Sequence, residues 1–254
     1  VTVWVDGVVV GDRDVPVRTG IAPFETMGAV GGELPLWDLH LARLRAAAQR
    51  LGLPFAPAPS LRGAAGELLL ANGRADGVLR VALVPAAGRM HTAMSVRARS
   101  PVTVVRLLPT IVQRPADAPP GDLKAEPRRF HNLVRQQAQD GEADDGIVVD
   151  HDGAVLEASL GNLWLRIDGI WTTPALDGRV LPGIARALLL GRAASAGLRV
   201  AERACDLADL HRATALAHSN AVHGPRPAAL VGGRADVAIV DSELGALWRA
   251  ATTR

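Results

Sequence analysis

Tight Asp-Gly turns cut this chain into short apolar runs, and that punctuation limits its possible folds more than any other feature. Val1–Val5 and Val8–Val10 flank Asp6-Gly7, a pair that supplies the backbone conformation of a two-residue hairpin. Ile147–Val149 and Ala154–Glu157 flank Asp150-His151-Asp152-Gly153, and Leu163–Ile167 and Ile170–Thr173 flank Asp168-Gly169. Further strand-like runs fall at Leu79–Val84, Ala93–Arg97 and Val102–Leu108. Strands joined this closely can pair only as antiparallel neighbours, since a parallel crossover needs a dozen residues or more.

Helical patterns are interspersed among these runs. From Asp38 to Leu51 the residues Leu41, Leu44, Ala48 and Leu51 form one apolar stripe, with Asp38 as the expected N-cap and Gly52 and Pro54 as the stop. Leu61–Ala71, Arg128–Gln139, Ile184–Ala196, Leu207–Arg212 and Glu243–Ala251 also read as helices. Mixed in this way, the elements predict an α+β (mixed α/β) class with a largely antiparallel sheet. A length of 254 residues allows two compact domains. Pro101 interrupts two strand-like runs, so the expected division is a small N-terminal α/β domain over 1–99 and a larger C-terminal one over 102–254. Gln113 to Asp122, rich in Pro, Asp and Gly, is expected to be a surface loop.

Composition removes several functions. There are five Trp, three Phe and no Tyr, so the core must be built from Ala, Leu and Val and no phenol can act as a catalytic acid. Net charge is only +2 and no Lys/Arg run exceeds two residues, which argues against a nucleic-acid partner. No apolar run approaches a membrane span of roughly 18 residues. The start lacks the basic residues of a signal peptide and reads as a first strand. A lone Cys205 excludes an internal disulfide, suits a reducing cytoplasm and leaves no thiolate zinc site; with seven dispersed His, no metal is expected. Gly28, Gly31 and Gly32 have the wrong spacing for a dinucleotide fingerprint, and Ala158-Ser159-Leu160-Gly161 lacks the first Gly of a nucleophile elbow.

One residue stands apart. Lys124 is the only lysine among 28 basic residues. Codon bias toward Arg accounts for the missing surface lysines. Arg, however, cannot form an imine with a carbonyl, whereas a primary amine can attack an aldehyde and later carry a proton. Both readings, bias and chemistry, are open from composition alone.

Leu123-Lys124-Ala125-Glu126-Pro127-Arg128-Arg129 with Leu133–Ala138 resembles the catalytic-lysine segment of fold-type IV, pyridoxal-phosphate-dependent enzymes, the class IV aminotransferases and aminodeoxychorismate lyases. Asp150-x-x-Gly153-x-Val155-x-Glu157 with Asn162-Leu163-Trp164, and Thr173-Pro174 with Leu181–Arg186, resemble its next segments in order. Upstream, Phe24-Glu25-Thr26 and His40-Leu41-x-Arg43-Leu44 fit its N-terminal signature, and Ser219–Pro227 its late loop.

The resemblance implies two domains with the cofactor between them, a homodimer and a small-molecule amino substrate. Lys124 would be the catalytic Schiff-base lysine. Glu157 would pair with the pyridine nitrogen and keep the ring an electron sink. Arg43, the backbone of Gly183, Ile184 and Ala185 at a helix start, and Ser219 and Asn220 would bind the phosphate, and Leu181 would pack on the ring. Arg43 also reads as a polar residue of an amphipathic helix, Glu157 as a solvated strand residue and Leu181 as ordinary core.

Pro127 stands where the family usually has Asn, Arg129 where branched-chain aminotransferases have Tyr, and Ile21-Ala22-Pro23 where Gly-Asp-Gly is common. Phe24-Glu25-Thr26 and Ser219–Pro227 look more like the lyases, which make 4-aminobenzoate and pyruvate for folate synthesis; Thr26 is then a substrate residue. Arg89-Met90-His91 instead resembles the Arg-x-His pair that holds the carboxylate in D-amino-acid aminotransferases, or else a solvated hairpin turn. Lyase and aminotransferase, and a non-catalytic binding module on the same fold, are the three readings carried forward.

Overall fold

The structure, a computed structural model, describes residues 2–11, 13, 15–101 and 103–252; Val1 and Val102, at the heads of two expected strands, lie outside them. The chain forms two compact units, Val1–Ser100 with Leu123–Pro127, and Pro101–Asp122 with Arg128–Arg254.

The first unit is built on a six-stranded sheet. In chain order its strands are β1 (Thr2–Val5), β2 (Val8–Gly11), β3 (Ala22–Gly28), β4 (Val78–Ala86), β5 (Arg89–Arg97) and β7 (Ala125–Glu126), and in space they run β2-β1-β5-β4-β3-β7. Every pair is antiparallel. Alternation of side chains sorts β3 into two faces. Met27 joins Leu79, Val81, Leu83 and Met94 beneath helices α1 (Trp37–Arg50) and α2 (Leu61–Ala71), which contribute Trp37, Leu44, Ala48, Leu61, Ala65 and Leu69. Phe24 faces the other way, with Ala82, Val84, Ala86 and Ala93. Helix α1 starts one residue before the expected cap: Leu36 occupies the N-cap position, and Asp38 lies in the first turn, where a carboxylate favours the positive end of the helix.

The second unit holds a nine-stranded sheet. Its strands are β6 (Val105–Ile111), β8 (Asp145–Val149), β9 (Ala154–Ala158), β10 (Asn162–Ile167), β11 (Ile170–Pro174), β12 (Val200–Arg203), β13 (Cys205–Asp206), β14 (Ala215–Asn220) and β15 (Gly224–Leu230). Their order is β12-β11-β10-β14-β15-β6-β8-β9-β13, with parallel pairs at β11–β12, β15–β6 and β6–β8. Helix α3 (Arg129–Asp140) packs on it through Phe130 and Val134, next to Val148, Leu156 and Val180. Helix α4 (Ile184–Ala193) and the C-terminal helices bury Trp164 and Trp171 with Leu189, Val240, Leu244 and Leu247. Among the described residues no helix is long and apolar enough to cross a membrane.

The sequence reading assigned Lys124 to the second domain. Leu123–Pro127 instead clusters with the first unit. Ala125 and Glu126 pair with Pro23 and Ala22, and the Phe24 N–H donates to the Lys124 carbonyl at 3.0 Å, so two ladder residues carry the lysine to the far edge of the first sheet.

Candidate active site

Lys124 is half-buried, and its Nζ stands 4.8 Å from the centre of the Phe24 ring. The Arg80 guanidinium lies 3.6 Å from the same centre, a cation–π distance, and its Nη2 donates to Glu126 Oε1 at 3.0 Å. Arg80 pairs in register with Thr26, so Thr26 and Arg80 share the Phe24 face of the sheet. Burial lowers the Arg80 pKa, opposed by the Glu126 charge and its hydrogen bond.

Behind this face, Glu25 points to α1 and is buried. It accepts from His40 Nδ1 at 2.7 Å and takes a two-pronged fork from Arg43, Nε to Oε1 and Nη2 to Oε2, each 2.7 Å. Burial pushes the Glu25 carboxyl up, but the Arg43 charge and the bonds from Arg43 and His40 outweigh it and hold the pKa at about 2. His40 is pushed below its ordinary value, first by burial. Arg43, expected to bind phosphate, is thus aimed by a buried carboxylate.

Arg89 and His91 lie on β5, at the β4–β5 hairpin. Arg89 is exposed at the end of the β4–β5 hairpin, opposite Ala86. His91 Nδ1 is held by Asp6 Oδ2 at 2.7 Å, and the other Asp6 oxygen accepts from the Thr92 N–H at 2.8 Å.

In the second unit, Glu157 is 4 % exposed. Its Oε2 accepts from the Leu181 N–H at 3.1 Å and from Asn162 Nδ2 at 3.3 Å, while Oε1 stands 3.8 Å from His131 Nε2, beyond hydrogen-bond length. Asn162 also donates to the Leu181 carbonyl at 2.9 Å. Leu181 is therefore tied to Glu157 through its backbone.

Gly183 caps α4 in extended conformation, and a Cβ there would lie 1.9 Å from Asn162 Oδ1. Ile184 and Ala185 follow in the first turn, where amides have no partner within the helix. Ser219 is fully buried, its Oγ accepting from Trp164 Nε1 at 2.9 Å. The Asn220 side chain shapes its own loop: Oδ1 accepts from the Val222 and His223 amides at 3.1 and 3.0 Å, and Nδ2 donates to the Leu160 carbonyl at 3.2 Å.

Beneath Ser219, Asp145 accepts from Ser159 Oγ, from the Leu160 N–H at 3.0 Å and from His218 Nε2 at 3.2 Å, and Arg226 Nη2 donates to His218 Nδ1 at 3.3 Å.

Sequence reasoning missed Arg80, His131, Asn162 as a carboxylate anchor, and the Asp145–His218 pair. Arg80 left a signal, being the one charge inside the apolar run Leu79–Val84. The others depend on contacts between distant strands.

In the first unit a primary amine suits an aldehyde; in the second, a buried carboxylate anchored on one oxygen suits a protonated ring nitrogen, and a glycine-capped helix start of ten residues suits a phosphate. The family model for the class IV amino-transferases matches residues 22–231.

The chain belongs to the class IV aminotransferases. It is an enzyme of this pyridoxal-phosphate-dependent family. No curated protein matches it in sequence. Among solved structures, a hypothetical aminotransferase from Mycobacterium tuberculosis in its PLP-bound form is similar over 100 % of this chain and 99 % of its own, with a TM-score of 0.84 and 21 % identity. A branched-chain aminotransferase from Thermoproteus uzoniensis covers 99 % and 94 % with a TM-score of 0.83 and 22 % identity. A Legionella pneumophila protein named for 4-amino-4-deoxychorismate lyase covers 94 % and 97 % with a TM-score of 0.81 and 22 % identity. At these identities the likeness is one of fold, and the class IV fold is what they share with this chain.

Proposed function

We propose that this class IV enzyme is a lyase of the aminodeoxychorismate type, converting 4-amino-4-deoxychorismate to 4-aminobenzoate and pyruvate. The observation that carries the choice is the engagement of His91 by Asp6 at 2.7 Å. It ties His91 to the turn between β1 and β2, and with Arg89 exposed at a hairpin end this weighs against Arg89-Met90-His91 as the pair that holds the carboxylate of a D-amino acid. The lyase-like segments Phe24-Glu25-Thr26 and Ser219–Pro227 remain.

Bound pyridoxal phosphate supplies an aldehyde for the substrate's amine and a ring that withdraws electrons from the carbon beside it. Lys124 provides the amine that holds the cofactor and then takes the proton from that carbon. Glu157, fixed by Leu181 and Asn162, keeps the proton on the ring nitrogen. Arg43, aimed by Glu25, and the amides of Ile184 and Ala185 behind Gly183 take the phosphate, with Ser219 and Asn220 closing its loop; Leu181 packs on the ring. On the Phe24 face, Arg80 meets the substrate's carboxylate and Thr26 its leaving fragment. The enolpyruvyl group departs with the electron pair of the broken C–O bond and gains a proton as pyruvate, so no second substrate is consumed.

The test has two arms. Protein reconstituted with pyridoxal phosphate is expected to be yellow, with a band fixed by borohydride at Lys124, and Lys124→Ala to lose it. Aminodeoxychorismate alone should then yield 4-aminobenzoate. Product formation only with a keto-acid acceptor would make the enzyme an aminotransferase instead, and a colourless protein would point to a binding module.

A further inference from the structure

We propose that His131 is a positioning residue for Glu157, leaving its Oε1 to the cofactor's ring nitrogen while the imidazole is neutral and competing for it once the imidazole is protonated. The proposal rests on the reading of Glu157 as the partner of that nitrogen. Its geometry comes from the start of α3. Phe130 is buried in the core, and the His131 ring stands edge-on against it, centroids 5.3 Å apart at 74°. That packing fixes the imidazole, 17 % exposed, with Nε2 at 3.8 Å from Glu157 Oε1.

The two carboxylate oxygens are then treated differently. Oε2 is anchored by the Leu181 N–H and Asn162, so the group cannot rotate without losing both. Oε1 has a neighbour just beyond hydrogen-bond length that competes for it far more strongly when charged. A neutral imidazole there is a spacer; an imidazolium at the same place is a counter-ion whose attraction is strong in a partly desolvated site.

Other charges bear on His131. Arg128, immediately before α3, donates to the Ser159 carbonyl at 2.6 Å, and Arg114 lies over the Phe130 ring at 4.3 Å. Burial first, then these two cations, push the His131 pKa below its ordinary value of 6.5, while Glu157 pulls it back up. At neutral pH the imidazole is therefore the spacer, and acidification converts it to the competitor.

Two measurements decide the matter. In the cofactor-free protein, the His131 ring resonance, identified by its loss in His131→Asn, should titrate below ~6.5, the usual histidine value, and Glu157→Gln should move that midpoint further down. An unchanged midpoint in Glu157→Gln overturns the proposal without reference to any cofactor. In the loaded enzyme, the visible band should change through the same midpoint, and this acid limb should vanish in His131→Asn and His131→Gln. Persistence of the limb in both variants also overturns it. Two variants guard against one that fails to fold. Wild-type protein that shows the resonance coupling yet takes up no pyridoxal phosphate would sink the role of Glu157, and with it the role proposed for His131.

Discussion

Glu25 shows how much of a site can be hidden in a residue that never touches a ligand. It sits in a motif quoted for its resemblance, yet its spacing gives no hint that its side chain turns inward to meet two residues of α1. His40 and Arg43 lie three apart, one helical turn, so both reach the same strand residue. The carboxylate is 1 % exposed and satisfied by three bonds of 2.7 Å. Removing one partner of such a buried pair leaves a charge uncompensated and costs about 3–5 kcal/mol. Glu25→Gln is expected to lose stability of that order in urea unfolding at pH 7, because the amide offers one acceptor where two are used. A loss under ~1 kcal/mol, the worth of an exposed pair, would show that Arg43 is solvated and not aimed. At the same scale, Lys124 was legible because it was alone, and His131 was not, because nothing about position 131 reveals a carboxylate on β9.

Elements were legible where apolar periodicity and turn chemistry agreed. Leu61–Ala71 and Leu207–Arg212 have the expected bounds, and the three hairpins lie on their Asp-Gly turns. Strands β3 and β15 were missed, since they are built from Ala, Pro, Gly and polar residues in place of β-branched ones. Pro225 and Pro227 lie opposite Ser219 and Ala217, two apart and so in the same kind of pair, which must be the kind without ladder bonds to β14. Their nitrogens therefore face the side that β6 joins, among the described residues, from Ala228 onward. The strand survives its prolines because the neighbour starts late.

The start of α4 was legible as a Gly-led helix, but not its dependence on Asn162. Gly183 has a backbone any residue can adopt, φ −68° and ψ 136°, so its requirement is steric. In Gly183→Ala the Asn162 amide must move and release Leu181 and Glu157. We expect a loss of about 1–3 kcal/mol from overpacking and cofactor binding weakened at least about tenfold, the equivalent of 1.4 kcal/mol. Gly191→Ala, in the same helix with open space around its Cβ, should stabilise by roughly 0.5–1 kcal/mol and leave cofactor binding as it is. Equal behaviour of the two variants in thermal melts and cofactor titration would refute the steric argument.

For the whole molecule, class and mixture were readable from turns and periods, whereas membership of the lysine segment was not, because two residues of β7 carry too little pattern to announce a strand. In each unit a histidine and a buried carboxylate nonetheless have lowered pKa values, and this sets how the molecule responds to acid. His40 in the first unit and His131 in the second have pKa values lowered by burial, so the unfolded chain binds their protons first. Their contribution to stability is intact above ~6.5, the unfolded value, and falls as pH drops below it. Glu25 and Asp145 are depressed in the folded state despite the opposing effect of burial, Glu25 by Arg43 and His40, Asp145 by His218, Ser159 and the Leu160 amide. Their stabilisation is complete above the unfolded carboxylate range of ~4 and is lost as pH falls toward the folded values, for Glu25 about 2. Stability is therefore expected to decline in two stages, one beginning near pH ~6.5 and a steeper one below ~4.5. Urea midpoints measured from pH 8 to 3 read this directly. His131→Asn should shrink the first stage while Glu25→Gln and Asp145→Asn flatten the second, each from a lower starting stability. A wild-type midpoint that stays level from pH 7 to 5 would mean that the buried histidines find water in the folded protein, and that their burial does not govern its acid response.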